Sequence, residues 1–289
     1  MMMNNQKGLT LIELMIAMLL SLVITYAAFS IMISNNQTAN IAETASQSQD
    51  NGRFAISFLS RQITKAGYSP VDTGGDDGIQ PFADICDSAN ISGQYGMCTS
   101  DDDNTSGDGT SMGDRLTIIR TADNARSCFG SQLKKDAGTG VDIPEGTIVT
   151  DAFWVAEKNG VKSLYCQTFE FEPSTFSSDN AISTAQPITA GIAAMHVLYG
   201  QSTEESLNGS RNVTAYLAAN ELNNRSGNDY EKDWIQVYSV RLSILTESFD
   251  STARLSGNRD YILLDSAPYS VSDQISRQVF STTITRANF

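Results

Sequence analysis

A single histidine, His196, occurs in 289 residues. One imidazole excludes a histidine-rich metal centre and any chemistry that needs two. A Ser-His-Asp triad stays arithmetically possible, but no G-x-S-x-G elbow is read in the chain to support it. Set between Met195 and Val197, His196 reads as a packed or capping residue. Proline is sparse at 6 and glycine ordinary at 21, which removes collagen-like and proline-rich disordered classes. Positive charge is short as well: 19 Lys and Arg face 33 Asp and Glu, a formal charge of −14. A duplex-binding surface needs clustered Lys and Arg, so direct nucleic-acid binding is not expected. Residues 1–70 carry Lys7, Arg53, Arg61 and Lys65 against Glu13, Glu43 and Asp50, a net of +1, which leaves −15 on the rest. That remainder reads as a soluble, acidic body. The four cysteines, Cys86, Cys98, Cys128 and Cys166, include no C-x-x-C pair, which argues against zinc and thioredoxin chemistry.

What the chain does have is a long apolar run. Leu9 to Ile33 spans 25 residues with one charge, Glu13. At about 1.5 Å per residue it is long enough to cross a hydrocarbon core of about 30 Å. Lys7 precedes it and no Lys or Arg follows until Arg53, so the positive-inside bias puts the amino terminus in the cytoplasm and the body outside. A secretory signal has a shorter apolar region followed by a small-residue cleavage site. Here the small residue, Gly8, stands before the run and directly after Lys7, so cleavage there would keep the helix on the mature chain.

Glu13 sharpens this reading. A carboxylate in an apolar segment costs on the order of 2.5–3.5 kcal/mol unless it is paired. No basic residue sits three or four positions away. If the chain is cut after Gly8, Leu9 gains a positive α-amino group, and stacked helices could pair the amine of one chain with Glu13 of the next. The alternative is a Glu that reaches back to water at the interface.

The stretch Lys7-Gly8-Leu9-Thr10-Leu11-Ile12-Glu13-Leu14 resembles the class III signal of type IV pilins and type II secretion pseudopilins. In that family a prepilin peptidase cuts after the glycine and methylates the new terminus. The resemblance implies Gly8 as the cleavage residue, Leu9 as the methylated residue and Glu13 as the assembly glutamate. Leu9 departs from the family's usual Phe.

Past Ile33 the chain turns polar but keeps a helical rhythm. Phe54 and Phe58, and Ala55, Leu59 and Ile63, form a narrow apolar stripe, with Arg53, Arg61, Gln62 and Lys65 on other faces. Lys65, Gly67 and Pro70 mark a helix end. One helix is therefore expected from about Leu9 to Ala66, with a weakly amphipathic stalk over Asn35 to Gln49 and a local weakness at Gly52. Residues 69–113 read as an irregular acidic excursion. Within it, the run from Asp101 to Asp108 suggests calcium but lacks the Gly and Glu of an EF-hand loop, and a solvated loop is the better reading.

The body then becomes strand-rich. Strands are expected at Arg115–Arg120, Thr147–Ala156, Val161–Gln167, Met195–Tyr199 and Trp234–Leu245, with a hairpin turn at Asn159-Gly160 and a short helix at Thr214–Leu222. Both faces of the 234–245 run are partly apolar, as for a strand covered on one side by a helix. An even number of cysteines outside the cell reads as two disulfides. Sequence permits three pairings. The pairs 86–98 and 128–166 are favoured: the first closes a short loop, contributing roughly 3 kcal/mol on the chain-entropy model, and the second fastens the segment after the first strand to the hairpin.

Asp114-Arg115-Leu116-Thr117, Cys128, Leu164-Tyr165-Cys166, Val197 to Gly200, Trp234 to Val237, Arg277 to Arg286 and Arg61 to Tyr68 are similar to PilW-type minor pilins, in the same order. The resemblance implies an α+β pilin-like fold: a cleaved leader at 1–8, a membrane and filament-core half-helix at 9–33, a head-packing continuation at 34–66 and a β-rich head at 67–289. It implies an inner-membrane protein that joins other minor and major pilins, the prepilin peptidase and the assembly platform, primes a type IV pilus, and sits at its tip, beneath an adhesin. The alternative in the same fold is a J-type pseudopilin of type II secretion. A membrane-anchored periplasmic enzyme or receptor is more distant: the sequence offers no catalytic carboxylate pair, nucleotide loop or metal cluster, and no cofactor is expected.

Overall fold

The computed structural model describes residues 10–68, 81–83, 98–102, 112–134, 140–171, 181–202, 212–223, 234–251 and 257–286. Its first element is helix α1, Leu11–Ile63, 53 residues long. That is about 80 Å at 1.5 Å per residue. From Leu11 to Ile33 the apolar side chains stand in the open; Leu11 is 79% and Tyr26 74% exposed. Burial starts at Thr44 and continues through Ser48, Gly52, Ala55, Leu59, Gln62 and Ile63. Steps of three and four keep these residues on one face.

Three details differ from the sequence reading, each for a local reason. The stalk is not uniformly solvated: Thr44 and Ser48 belong to the packed face, and the Ser48 hydroxyl lies 2.7 Å from that of Thr246. Gln62 is not on an outer face, because it stands three residues past Leu59 and seven past Ala55; its Nε2 donates to the Cys128 carbonyl at 3.3 Å. Gly52 is not a weak point but a seat. The ring of Phe280 lies against it so closely that a Cβ would stand 2.5 Å from the ring. The helix ends in turns after Ile63, and the Gly67 N–H donates to the Ile119 carbonyl at 2.8 Å, which ties the helix end to the head.

The head holds two four-stranded antiparallel sheets. The first contains β1 (Leu116–Thr121), β2 (Ile148–Lys158), β3 (Val161–Glu170) and β4 (Gln186–Ala190), in that order. Asn159 and Gly160 both take positive φ, 54° and 77°, and Lys158 pairs Val161 across them, so the expected two-residue hairpin turn is present. The second contains β5 (Ile192–Gln201), β6 (Ala215–Leu217), β7 (Val237–Ser251) and β10 (Ile275–Thr285), in the order β10-β7-β5-β6. A two-stranded ribbon, β8 (Arg259–Tyr261) and β9 (Tyr269–Val271), completes the strands. The expected helix at Thr214–Leu222 divides into β6 and a short α2 (Ala219–Asn223). Tyr216 pairs Gly200 in the ladder, while Glu221 accepts the Ala218 N–H and starts the helix. Trp234 and Ile235 precede β7 as a helical turn, because the Trp234 ring packs edge-on to Tyr199 at 4.9 Å.

The sheets are joined at two places. β4 passes into β5 through Gly191, whose N–H donates to Lys162 and whose carbonyl accepts from Glu247, each at 2.9 Å. The approach to β1 runs parallel to β5, with Gly113 bridged to Met195. Helix α1 crosses β7 and β10, and one core unites Ala55, Leu59 and Ile63 with Ile118, Phe153, Leu164, Val197 and Ile244. This is the α+β, pilin-like architecture: a half-free helix lying on an antiparallel head.

The Gly52 seat makes a prediction with a sign change. Alanine normally gains about 1 kcal/mol over glycine inside a helix, but overpacking costs about 1–3 kcal/mol. Gly52→Ala should therefore lower the melting temperature of the full chain, whereas in a Phe280→Ala background the same change should raise it. Thermal melts of the four proteins in detergent check this.

Candidate functional site

Gly8, Leu9 and Cys86 lie outside the described residues. The described site begins at Thr10, the N-cap of α1, and Glu13 occupies the third helical position. Thr10-x-x-Glu13 is a capping box, in which the glutamate reaches back to helix-start donors. Both the backbone N–H and the hydroxyl of Thr10 donate to Glu13 Oε2 at 3.3 Å. The helix dipole also favours an anion in the first turn. Around this polar pair stand Leu11, Ile12, Leu14, Met15 and Ile16, all exposed. Glu13 therefore has hydrogen-bond donors, but no cation beside it among the described residues. The sequence reading missed Thr10, although the threonine–glutamate spacing could have revealed it.

The residues singled out in the head meet in two buried networks. In the first sheet Arg120 Nε donates to Asp151 at 2.6 Å, and both side chains are enclosed. The Thr168 hydroxyl donates to the other Asp151 oxygen and accepts the Cys128 N–H at 2.9 Å. Cys128 is disulfide-bonded to Cys166, 38 residues on, which pins the loop after β1 to β3. Cys98 is likewise disulfide-bonded.

The second network joins the sheets. Asp114 accepts the Asp102 N–H at 2.9 Å and the Val197 N–H at 2.7 Å, and His196 Nδ1 lies 3.5 Å from the carboxylate. His196 Nε2 is 2.7 Å from the Tyr269 hydroxyl. Burial pushes the Asp114 carboxyl well above its ordinary pKa, and Asp101 and Asp265 push the same way. His196 is thus a packed residue, 1% exposed. The pentapeptide Gly109-Thr110-Ser111-Met112-Gly113 does carry the G-x-S-x-G spacing, contrary to the sequence reading. Ser111 lies outside the described residues, and Met112 to Asp114 run alongside β5 rather than into a helix, so the elbow context is missing. Of the acidic run, Asp101 and Asp102 are described, and no group of three or more metal-ligating His, Cys, Asp or Glu occurs among the described residues.

The scattered PilW-like segments are therefore neighbours in space. Asp114 grips Val197, Tyr199 packs edge-on against Trp234, Cys128 joins Cys166, and Gln62 at the helix end holds the Cys128 carbonyl. Residues 152–288 match the family model of the type IV pilus-assembly protein W, and residues 3–29 match that of the prokaryotic N-terminal methylation motif. No curated protein sequence and no solved structure matches the chain. Fold and matches together define a type IV pilin-like protein, anchored in the inner membrane and assembled into an extracellular pilus. Within that class the chain is a minor pilin of the type IV pilus. Its family is one of structural subunits, which act through other pilins and the assembly machinery.

The Asp114 network predicts a pH dependence. A carboxyl whose folded pKa is raised contributes stability that is fully present below its unfolded pKa, near 3.8, and lost as pH rises through the folded value. Asp114→Asn leaves one N–H without an acceptor at every pH but removes this titration. The wild-type advantage in melting temperature over Asp114→Asn should therefore be largest near pH 4 and shrink toward neutrality. An advantage that is constant from pH 4 to 8 would contradict the burial account.

Proposed function

We propose that the chain is cut after Gly8, methylated on Leu9, and drawn from the inner membrane into the pilus by pairing the Leu9 amine of one subunit with Glu13 of a neighbour. Residues 9–33 then form the filament core, 34–66 carry the head, and 67–289 are the head itself. The observation that carries this reading is the setting of Glu13. Among the described residues its carboxylate is held only by Thr10, on a helix end ringed by exposed apolar side chains. A charged acid with hydrogen bonds but no counter-ion remains costly in a low-dielectric setting, so a neighbouring amine is the partner that completes it. Thr10 keeps the carboxylate at the helix start until that amine arrives.

The subunit primes assembly with other minor pilins and sits at or near the tip, beneath an adhesin, in a pilus serving adhesion, twitching motility or DNA uptake. The bulk of the head supports a terminal place, since a large head is harder to repeat along a shaft. The match of the head to a pilus-assembly family favours this over a J-type pseudopilin of type II secretion. Deleting the gene should abolish surface pili and twitching and leave enzyme secretion intact.

Two measurements test the scheme. Intact mass and amino-terminal sequencing of the membrane protein should give a chain starting at methylated Leu9. A chain that keeps Met1 in peptidase-competent cells refutes processing. Glu13→Gln and Glu13→Ala should lower the amount recovered in sheared pili by at least about tenfold, since removing one partner of a buried ion pair costs roughly 3–5 kcal/mol, while membrane levels hold.

A further inference from the structure

Basic residues are the minority in this chain, yet several converge where α1 ends. A groove of about 390 Å³ lies between the last turns of α1 and the disulfide-pinned loop. Arg61 lines it from the last turn of α1, Lys65 from the turn just past it, Arg126 from the loop, and Arg120 from beneath. Arg120 is committed to Asp151. The other three are exposed: Arg61 donates to the Ser57 hydroxyl and Arg126 to the Gly130 carbonyl, and none has a carboxylate partner among the described residues. Among the described residues no acidic side chain lines the groove. Its apolar contribution comes from Phe58 and from Phe129, which is 54% exposed.

Structural duties do not account for this set. The helix dipole welcomes a cation in the last turn, but Arg61 and Lys65 at i and i+4 repel each other. Arg126 comes from a separate loop, and a wet phenylalanine beside it stabilises nothing in the monomer. We infer that the groove is a binding site for an acidic polypeptide segment of a partner protein, with carboxylates meeting Arg61, Lys65 and Arg126 and an apolar side chain covering Phe129.

Charge complementarity and position choose this occupant. Anionic lipid is out of reach, because Arg61 stands about 42 Å along the helix from Ile33, several Debye lengths of about 8 Å. An inorganic anion would leave Phe58 and Phe129 wet. A nucleic acid would meet three cations and then the field of a body carrying −15, which opposes a long polyanion but not a short acidic segment. The inference goes beyond assembly through Glu13, and neither processing nor filament formation enters its test.

The probe is a fluorescein-labelled octapeptide alternating glutamate and phenylalanine, titrated by fluorescence anisotropy with the full chain in detergent micelles. A glutamine-for-glutamate peptide and an octanucleotide serve as competitors. Binding should weaken as salt rises, and Arg61→Gln with Lys65→Gln should reduce affinity at least tenfold at an unchanged melting temperature. Phe129→Ala should reduce it several-fold, and Arg53→Gln, which lies outside the groove, should leave it within twofold. Should the double variant melt early, Lys65→Gln alone carries the test and should still reduce affinity measurably. No binding of the peptide, equal binding of the glutamine peptide, indifference to the charge variants, or stronger binding of the oligonucleotide would each overturn the assignment.

Discussion

The head is held by how closely a helix can approach a sheet. The first buried positions of α1 are Thr44, Ser48, Gly52 and Ala55, none larger than threonine. Side chains of this size let the helix backbone approach β7 and β10, so that Phe280 fills the space over Gly52 and Ser48 meets Thr246 hydroxyl to hydroxyl. Only beyond this seam do bulky residues, Leu59 and Ile63, enter the common core with Ile118, Phe153 and Leu164. Apolar burial supplies stabilisation at roughly 25 cal/mol per Å², but the small-residue seam decides where along the helix the head sits. A helix displaced by one residue would turn these positions by about 100° and bring larger neighbours against the sheet.

Two sheets on one helix also need a fixed relation to each other, and polar groups set it. Asp114 precedes β1 of the first sheet but spends its carboxylate on the Val197 N–H of the second. Gly191 carries the chain between the sheets and is hydrogen-bonded to strands of both. Within the first sheet, Arg120, Asp151 and Thr168 lock three adjacent strands and the Cys128 loop together. Such buried polar contacts contribute little net stability compared with apolar replacements, yet breaking one partner is costly. Their effect is to penalise alternative sheet registers, which apolar contacts alone tolerate.

The elements set by periodicity and turn chemistry were legible in the sequence. The membrane-length run, the stripe Ala55-Leu59-Ile63 and the Asn159-Gly160 hairpin rest on local rules, and local rules suffice for them. Gln62 and Gly52 were misread because their environment is supplied from far along the chain, by Cys128 and Phe280. The 214–222 segment was misread for a related reason: its alanines favour helix, but Tyr216 finds a ladder partner in Gly200 and pairing overrides propensity. The cap of Glu13 by Thr10 is local and readable, while the placement of Asp114 under Val197 is not, because a buried acid offers no periodic signal. The basic groove combines both cases. Arg61 and Lys65 are visible as a pair on one helix face, but Arg126 joins them only once the disulfide has pinned its loop.

The free part of α1 has a mechanical meaning that follows from lengths. An apolar run such as Leu11 to Ile33 stays helical when placed in lipid, where backbone groups have no other partners. The first buried contact with the head is Thr44. Between them lie ten residues, Ser34 to Glu43, about 15 Å of helix, too short and too rich in Asn to persist alone in water. This bridge is helical because both of its ends are anchored, one in an apolar surrounding and one in the head. It therefore fixes the rotation of the head relative to the embedded half, since a continuous helix transmits a turn of about 100° per residue from one end to the other. The face on which Glu13 projects and the face seated on β7 and β10 are thereby set in a constant angular relation. Under the proposed pairing through Glu13, a subunit would present its head, and the cationic groove at the far end of the helix, in one orientation rather than many.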